Sequence, residues 1–487
     1  MIDKNIILQD YSKLKQLALK NAEKKRFGNA VFYLKRAAIL MYNSNIIYTD
    51  EVLESLLQNI SEQIITHKRP KQQQTKRIVF YDYFVLDNRG LTEQYLDALF
   101  SFDYEVLFIG CQSGEKSKEI YSKLQSHNVA YKYISECDEI TKAITIYKII
   151  SDFSPHIILA HTAPWDVAGL MAINRCGSNC KRFLINITDH AFWLGSTVFD
   201  YFLEFRNYGY NISKTFRNIN EKKLLKLPYY PIINQNIGFE GFDFDTEGKK
   251  MIFSGGSIYK IQGSPVFFDI VKYIISQYPD TIFLFLGNGD SKHLLDFIEQ
   301  NNFQDRVFYS TERKDIYEVF RHCYLYLNTY PLIGGLMTQY ACIAGKIPLT
   351  LNDKKDPCNS ISELTFDCKD IELEFDNLDL LKSKLDLYLT NEKVLAYDSE
   401  KIKKTIISPE TFKKILLEYI QEDFPTTKIT FKCYDIDIDK FAEQYITRFN
   451  EHNGLIYYKL FIDRNLKTLK NFPHYYIKYA KNRIIKR

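Results

Sequence analysis

The segment from Met251 to Leu351 holds residue types and spacings suited to gripping a diphosphate. A buried run, Met251–Phe253, enters a glycine turn (Gly255, Gly256) and then meets an isolated cation, Lys260. A second apolar run, Thr281–Leu286, ends at Gly287-Asn288-Gly289; a third, Tyr324–Leu327, ends at Pro331 and Gly334-Gly335 just before a helix. Glycines admit the close approach of backbone to phosphate, and a helix N-terminus offers amides without intrahelical partners. Breaking a bond to a diphosphate leaves negative charge that a cation and aimed N–H dipoles can neutralise. Lys260 is the candidate cation, and Gly334, Gly335 and Thr338 at the helix start are the candidate dipoles. Two alternatives remain at this level: Gly255-Gly256 as a plain tight turn, and Lys260 as a solvated lysine. Asn288 either contacts a base or merely tolerates a left-handed turn.

A second group suits proton transfer. His161 follows the run Ile157–Ala160, with Asp166 five residues on, and Asp189-His190 follows Phe183–Ile187. Both lie at the carboxyl ends of strands, where ligands approach this kind of sheet. Histidine titrates near neutrality and suits a general base; Asp189 would orient His190 or bind hydroxyls. Either histidine could equally be structural. Phe192 and Trp193 read as sugar-stacking rings or as core, and Asp87-Asn88-Arg89-Gly90 as a loop meeting an anionic ligand or as an ordinary turn. Glu204 and Arg206 follow another strand, with their role open.

The elements that would position these residues alternate. Residues 77 to about 240 give strands Ile78–Tyr81, Val106–Ile109, Tyr131–Ile134, Ile157–Ala160, Phe183–Ile187 and Tyr201–Phe205, with helices such as Leu91–Phe100 and Glu139–Phe153 between them. Residues 249 to about 400 repeat the alternation. The reading is α/β, with two facing doubly wound Rossmann-like domains and a cleft between them. Residues 11–67 read as helices, broken at Phe27-Gly28-Asn29 into a hairpin like one tetratricopeptide unit. The expected division is 1–75 (helical cap and linker, the latter Lys68–Lys76), 76–240 (acceptor side), 241–425 (nucleotide side with a crossover helix, Glu410–Gln421) and 426–487 (basic extension). The extension should contain a short strand, Ile429–Cys433, and two amphipathic helices.

Composition narrows the classes. The chain has 487 residues, enough for two or three domains, and 46% hydrophobic content, enough for real cores. Its nine cysteines are scattered; only Cys176 and Cys180 lie close, without a partner pair, so zinc is not expected and a reduced, cytosolic compartment is. The D-x-D pairs (Asp243–Asp245, Asp435–Asp437) follow no buried strand, so no metal is expected. Walker A and G-x-G-x-x-G patterns are absent, which argues against an ATPase or a dehydrogenase. Met1–Asp10 lacks the apolar core of a signal peptide, and no run of 18 apolar residues occurs. Net charge is +4, yet residues 454–487 carry nine Lys/Arg against one Asp, so charge concentrates at the end. A basic, tyrosine-rich tail suits an anionic membrane surface or remains a solvated end; no nucleic-acid-binding fold accompanies it.

Three segments resemble the GT-B glycosyltransferases, and among them the group of peptide O-linked N-acetylglucosamine transferases and their bacterial relatives. Ser257-Ile258-Tyr259-Lys260-Ile261 is similar to that group's strand–turn with its diphosphate-contacting lysine. Tyr330-Pro331-Leu332-Ile333-Gly334-Gly335 through Ala344-Gly345-Lys346-Ile347-Pro348 is similar to its Pro-rich loop, diphosphate helix and A-G-x-P turn. Trp193-Leu194-Gly195-Ser196-Thr197 with Asp200-Tyr201 is similar to its acceptor-domain segment. The resemblance covers about residues 77 to 400. It implies a metal-independent transferase without a cofactor. The donor would be a nucleotide-diphosphate sugar, UDP-sugar foremost, and the acceptor a glycan, lipid-linked saccharide or protein. It also implies a bacterial setting; the cytoplasmic compartment is expected from the cysteines, and contact with the inner membrane face from the basic tail. Two departures stand out. Tyr340, preceded by Gln339, occupies the place of the carboxylate that holds the ribose, and of a paired threonine motif only Thr338 remains. They leave a non-catalytic partner subunit as the alternative. An epimerase or phosphorylase of the same shape is a further rival.

Overall fold

A computed structural model describes the chain except for residues 67–75, 88–90, 113, 137, 178–179, 235, 263, 353–356, 366–369, 452–454, 463–465 and 486–487. The linker expected at 68–76 thus falls largely, and Asn88, Arg89 and Gly90 wholly, outside the described residues. The chain divides into two units: Met1–Leu227 with Leu416–Arg487, and Pro228–Ile415. The break lies at 227/228, ahead of the boundary at 240 drawn from sequence, and the chain returns to the first unit within the helix Pro409–Gln421.

The first unit is built on a parallel sheet of seven strands: β1 (Arg77–Asp82), β2 (Glu105–Gly110), β3 (Ala130–Tyr133), β4 (Ile157–His161), β5 (Lys181–Asn186), β6 (Tyr201–Glu204) and β7 (Leu224–Lys226), in the order β3-β2-β1-β4-β5-β6-β7. Runs such as Ile78-Val79-Phe80-Tyr81 are buried throughout, as expected where helices cover both faces of a parallel sheet. The order reverses between β1 and β4. That topological switch point leaves a crevice at the carboxyl ends, and the register sets Asp82 beside His161 there.

The N-terminal helices Lys4–Glu23, Phe27–Ser44 and Glu51–Ile64 share the hydrophobic core of this sheet through Leu14, Ala18, Leu34, Ala38, Leu53 and Leu57. The break between the first two falls at Lys24–Arg26, with Lys25 at φ 54°, and not at Phe27-Gly28-Asn29; those three residues already belong to the second helix. The Glu54 carboxylate accepts the amides of Gly195 (2.8 Å) and Ser196 (3.3 Å) and the Thr197 hydroxyl (3.1 Å), tying the third helix to the Trp193–Thr197 segment.

Residues 429–433 form no strand. The segment is held instead by side chains of the helix Asn207–Thr215: Asn211 donates to the Lys432 carbonyl at 2.8 Å, Asn207 accepts the Lys432 amide at 3.1 Å, and Phe431 stacks on Tyr210 at 4.0 Å. Asparagine amides supply the bonds that a neighbouring strand would have given. Beyond it, the described residues form four helices where two were expected, Ile438–Glu451, Leu455–Lys459, Leu466–Asn471 and Pro473–Ile485. They return to the N-terminus, where buried Asp10 accepts the hydroxyls of Tyr457 and Tyr475.

The second unit has six parallel strands: β8 (Lys250–Gly255), β9 (Thr281–Leu286), β10 (Val307–Ser310), β11 (Leu325–Leu327), β12 (Pro348–Leu351) and β13 (Glu374–Phe375), in the order β10-β9-β8-β11-β12-β13. Its reversal falls between β8 and β11, so the loops after Gly255 and Leu327 meet at the equivalent crevice.

Candidate functional site

In the second unit, the residues expected to grip a diphosphate converge at the switch point. β8 ends at Gly255; Gly256 follows at φ 138°, a conformation glycine adopts without strain. A short 3-10 turn, Ile258–Ile261, then presents Lys260. The Lys260 ammonium donates to the Ile333 carbonyl at 2.7 Å, and the Leu332 amide bonds back to the Lys260 carbonyl at 3.4 Å. Burial lowers the Lys260 pKa to about 8, and no carboxylate among the described residues pairs with it. A cation held this way is electrostatically unsatisfied and suited to an anion.

The neighbouring loop is fitted against the first. The Gly256 amide donates to the Leu286 carbonyl (2.9 Å) and the Ile258 amide to the Asn288 carbonyl (3.0 Å). A Cβ on Gly287 would lie 1.8 Å from the Gly256 carbonyl oxygen, so only glycine permits this approach. Asn288 itself is exposed, and Gly289 carries the left-handed turn at φ 141°.

The helix Gly335–Ile343 begins beside these loops. Its start is organised by Asn328, at the end of β11, which accepts the amides of Gly334 (2.9 Å) and Thr329 (3.0 Å) and donates to the Thr338 hydroxyl (2.8 Å). Thr338 in turn donates to the Gly334 carbonyl at 3.0 Å and is fully buried. Two expected dipoles, the Gly334 amide and the Thr338 hydroxyl, are therefore engaged within the turn. The first helical amides, from Gly335 on, are those that helix geometry leaves without intrahelical acceptors. Sequence reasoning missed Asn328, although an asparagine directly after a buried strand and before a glycine-rich loop is a legible capping signal.

Tyr340 and Gln339 are also committed internally. The Tyr340 hydroxyl donates to the Ile232 carbonyl at 2.6 Å, and the Gln339 amide to the carbonyls of Tyr229 (2.9 Å) and Leu364 (3.3 Å). The helix thus pins the segment that opens the second unit.

In the first unit, His161 and Asp189-His190 sit at carboxyl ends of strands, with different partners. His161 is buried; its Nδ1 lies 3.0 Å from Asp82 Oδ1 across the β1–β4 switch point. Asp166 does not serve His161: it caps the helix Val167–Cys176 through the Gly169 amide (3.0 Å) and accepts the Tyr81 hydroxyl at 2.6 Å. Asp82 was absent from the sequence reading. A single aspartate closing a run of buried apolar residues, Ile78 to Tyr81, was the available signal.

Asp189 is buried and paired with Arg206 through two bonds, 2.6 and 3.0 Å; His190 Nδ1 stands 3.4 Å from its Oδ1. Burial alone would raise the Asp189 carboxyl, but Arg206 and His190 outweigh it and hold it at about 2. Beneath lies Glu204, which accepts from Asn186 (2.9 and 3.0 Å) and Ser213 (2.6 Å); burial pushes its carboxyl up to about 7. Glu204 and Arg206 are therefore parts of a buried polar network. Phe192 and Trp193 are core: Trp193 is stacked on Phe202 and covered by Arg217. Among the described residues, no group of three or more His, Cys, Asp or Glu is placed to hold a metal ion.

No family model and no curated protein matches the chain. Solved structures do. A glycosyltransferase from Rickettsia africae is similar with a TM-score of 0.55 at 12% identity, over 72% of this chain and 98% of that one. Anabaena HepE in complex with UDP and glucose is similar with a TM-score of 0.54 at 12% identity, over 70% and 98%. An O-GlcNAc transferase mutant of Thermobaculum terrenum reaches a TM-score of 0.50 at 12% identity, over 88% and 82%. What these likenesses establish is the fold: two Rossmann-like units of the GT-B type.

Proposed function

We propose that this protein is a glycosyltransferase that takes its sugar from a nucleotide-diphosphate donor, UDP-sugar foremost, without a metal. The carrying observation is Lys260. At the switch point of the second unit, its ammonium is desolvated, pairs with no carboxylate among the described residues and is framed by two loops that glycine lets pack closely on one another. Such a cation can hold the departing diphosphate in place of a metal. The fold supports the reading, since HepE of the same fold is seen with UDP and glucose. On this reading the sugar is a hexose or N-acetylhexosamine, the acceptor is a glycan, a lipid-linked saccharide or a protein, and a proton acceptor in the first unit serves the attacking hydroxyl. The setting is bacterial surface-polysaccharide or glycoprotein assembly in the cytoplasm.

A second reading has its own observation. The position expected to hold the ribose carries Tyr340, whose hydroxyl is spent on Ile232. This favours a non-catalytic subunit of the same fold that binds glycan or protein. Calorimetric titration with UDP, GDP and ADP separates the two: micromolar binding of one supports the donor site, and binding of none supports the subunit.

No helix among the described residues is long and apolar enough to cross a membrane. The C-terminal helices nonetheless expose Leu466 (80%) and Ile477 (57%) beside Lys467, Lys470, Lys478 and Lys481. Apolar tips among lysines fit the surface of an anionic bilayer, where a lipid-linked acceptor would be presented.

A further inference from the structure

Arg217, just beyond the helix Asn207–Thr215, is a buried cation, 2% exposed. Its hydrogen-bond partners are all neutral. The terminal nitrogens donate to the carbonyls of Asp189 (3.0 Å) and Ala191 (2.6 Å) and to the Ser213 hydroxyl (3.1 Å). Its guanidinium lies 5.4 Å from the Tyr48 ring centroid and 4.6 Å from that of Trp193. No carboxylate among the described residues forms an ion pair with it. Asp189 gives its oxygens to Arg206, and Glu204 stands one hydroxyl away, accepting from Ser213. Burial pushes the guanidinium down to about 10, against the pull of Glu204 and Asp189. Glu204, itself raised to about 7, is only partly ionised at neutral pH and balances that charge incompletely. A buried charge without a counter-charge is costly, so the fold leaves a negative charge to be supplied.

Unmet hydrogens accompany the unmet charge. Arg217 Nε and Trp193 Nε1 are both buried, and neither has an acceptor among the described residues. Trp193 is 3% exposed, and the guanidinium covers its ring, so the two N–H groups are neighbours. The loop between the helices Phe27–Ser44 and Glu51–Ile64 closes over the same place. It brings Tyr48 to Arg217, and its Thr49 hydroxyl lies 3.4 Å from that of Ser196. This loop also buries Asn45 completely, with neither amide atom bonded among the described residues.

Interiors rarely leave such atoms unmet, and several together mark a space that something fills. Three of these four atoms are donors: Arg217 Nε, Trp193 Nε1 and Asn45 Nδ2. Water brings donors of its own and no charge. An anion only accepts, and it supplies what Arg217 lacks. One uncompensated cation calls for a single negative charge, and complete burial calls for a small ion.

We propose that the first unit holds a small monovalent anion of the size of chloride, bound by Arg217 Nε and Trp193 Nε1 beneath the loop that carries Asn45 and Tyr48. The site joins three segments distant in sequence: the loop of the N-terminal helices, the stretch between β5 and β6, and the turn before β7. The anion would tie the helical cap to the sheet. The inference stands apart from the transferase reading, since it uses no residue of the second unit.

The test uses the full chain at fixed ionic strength while gluconate, too large for the site, is exchanged for chloride. The melting temperature should rise along a saturation curve, by about 5 °C once chloride reaches roughly a hundred times its dissociation constant. Equal melting temperatures in the two salts overturn the proposal and leave the space to water. Crystals grown in bromide should show anomalous density at hydrogen-bond distance from Arg217 Nε and Trp193 Nε1. Density at the surface alone, an adventitious ion only, overturns it as well. Trp193→Phe, which keeps a ring and removes the N–H, should lose most of the chloride-dependent rise; full retention overturns the assignment. If Trp193→Phe does not fold, Arg217→Lys, which keeps the charge and removes the Nε–H, is read in the same way. If neither folds, the bromide position decides.

Discussion

Lys260 and Ile333, from loops that follow different strands, are joined by a 2.7 Å bond from ammonium to carbonyl. The bond spans the switch point of the second unit and aims a positive charge at the crevice without neutralising it. Replacing Lys260 by Ala should weaken UDP binding by about 1.5–3 kcal/mol, the usual worth of a hydrogen bond to a charged group. Unchanged affinity in calorimetry would remove Lys260 from the donor site.

The same lysine makes binding pH-dependent. With its pKa lowered to about 8, the free protein loses the ammonium as pH rises past that value, while a bound diphosphate would retain it. UDP affinity should therefore fall by up to about tenfold per pH unit from about pH 8 until the higher pKa of the complex is reached. In Lys260→Met the profile should be flat over that range.

Gly287→Ala tests the fit of the two glycine loops. Its Cβ would stand 1.8 Å from the Gly256 carbonyl oxygen, a backbone atom that cannot swing aside. The expected outcome is loss of nucleotide binding together with a lower melting temperature, read by calorimetry and thermal denaturation.

Glu204 should leave a mark on stability. Its folded-state pKa of about 7 lies above that of an unfolded glutamate, so the folded state binds more protons between roughly pH 4.5 and 7. Stability from this group is thus present at low pH and lost as pH rises through 7. Relative to Glu204→Gln, the wild type should lose on the order of 2–3 kcal/mol between pH 5 and 8. Parallel denaturant titrations across that range check the difference.

The C-terminal helices offer a binding test. Sedimentation with phosphatidylserine-containing vesicles should carry the protein down at low salt and not at high salt. Each of Lys467, Lys470, Lys478 and Lys481 changed to Gln should cost about 1 kcal/mol of binding. Retention on neutral vesicles after all four changes would rule out the electrostatic contact.

The sequence by itself determined the α/β class and most elements of the two sheets. Buried runs such as Thr281–Leu286, closed by Gly287-Asn288-Gly289, announce a parallel strand and its turn because burial, strand propensity and turn chemistry are local properties. Lys260 was legible for the same reason, as a lone cation after a strand and a glycine turn. What the tertiary structure decided is which side chains spend their polar groups on one another. Thr338 looked like a free hydroxyl at a helix start until Asn328 and the Gly334 carbonyl engaged it. Residues 429–433 carry strand-like residues, but Asn207 and Asn211 bind their backbone in place of a neighbouring strand. Asp82 and His161 lie far apart along the chain and meet only because the sheet order sets β1 beside β4 in register. Periodicity specifies an element; strand order and crossover determine which carboxyl ends become neighbours, and the candidate chemistry of this protein sits at those junctions.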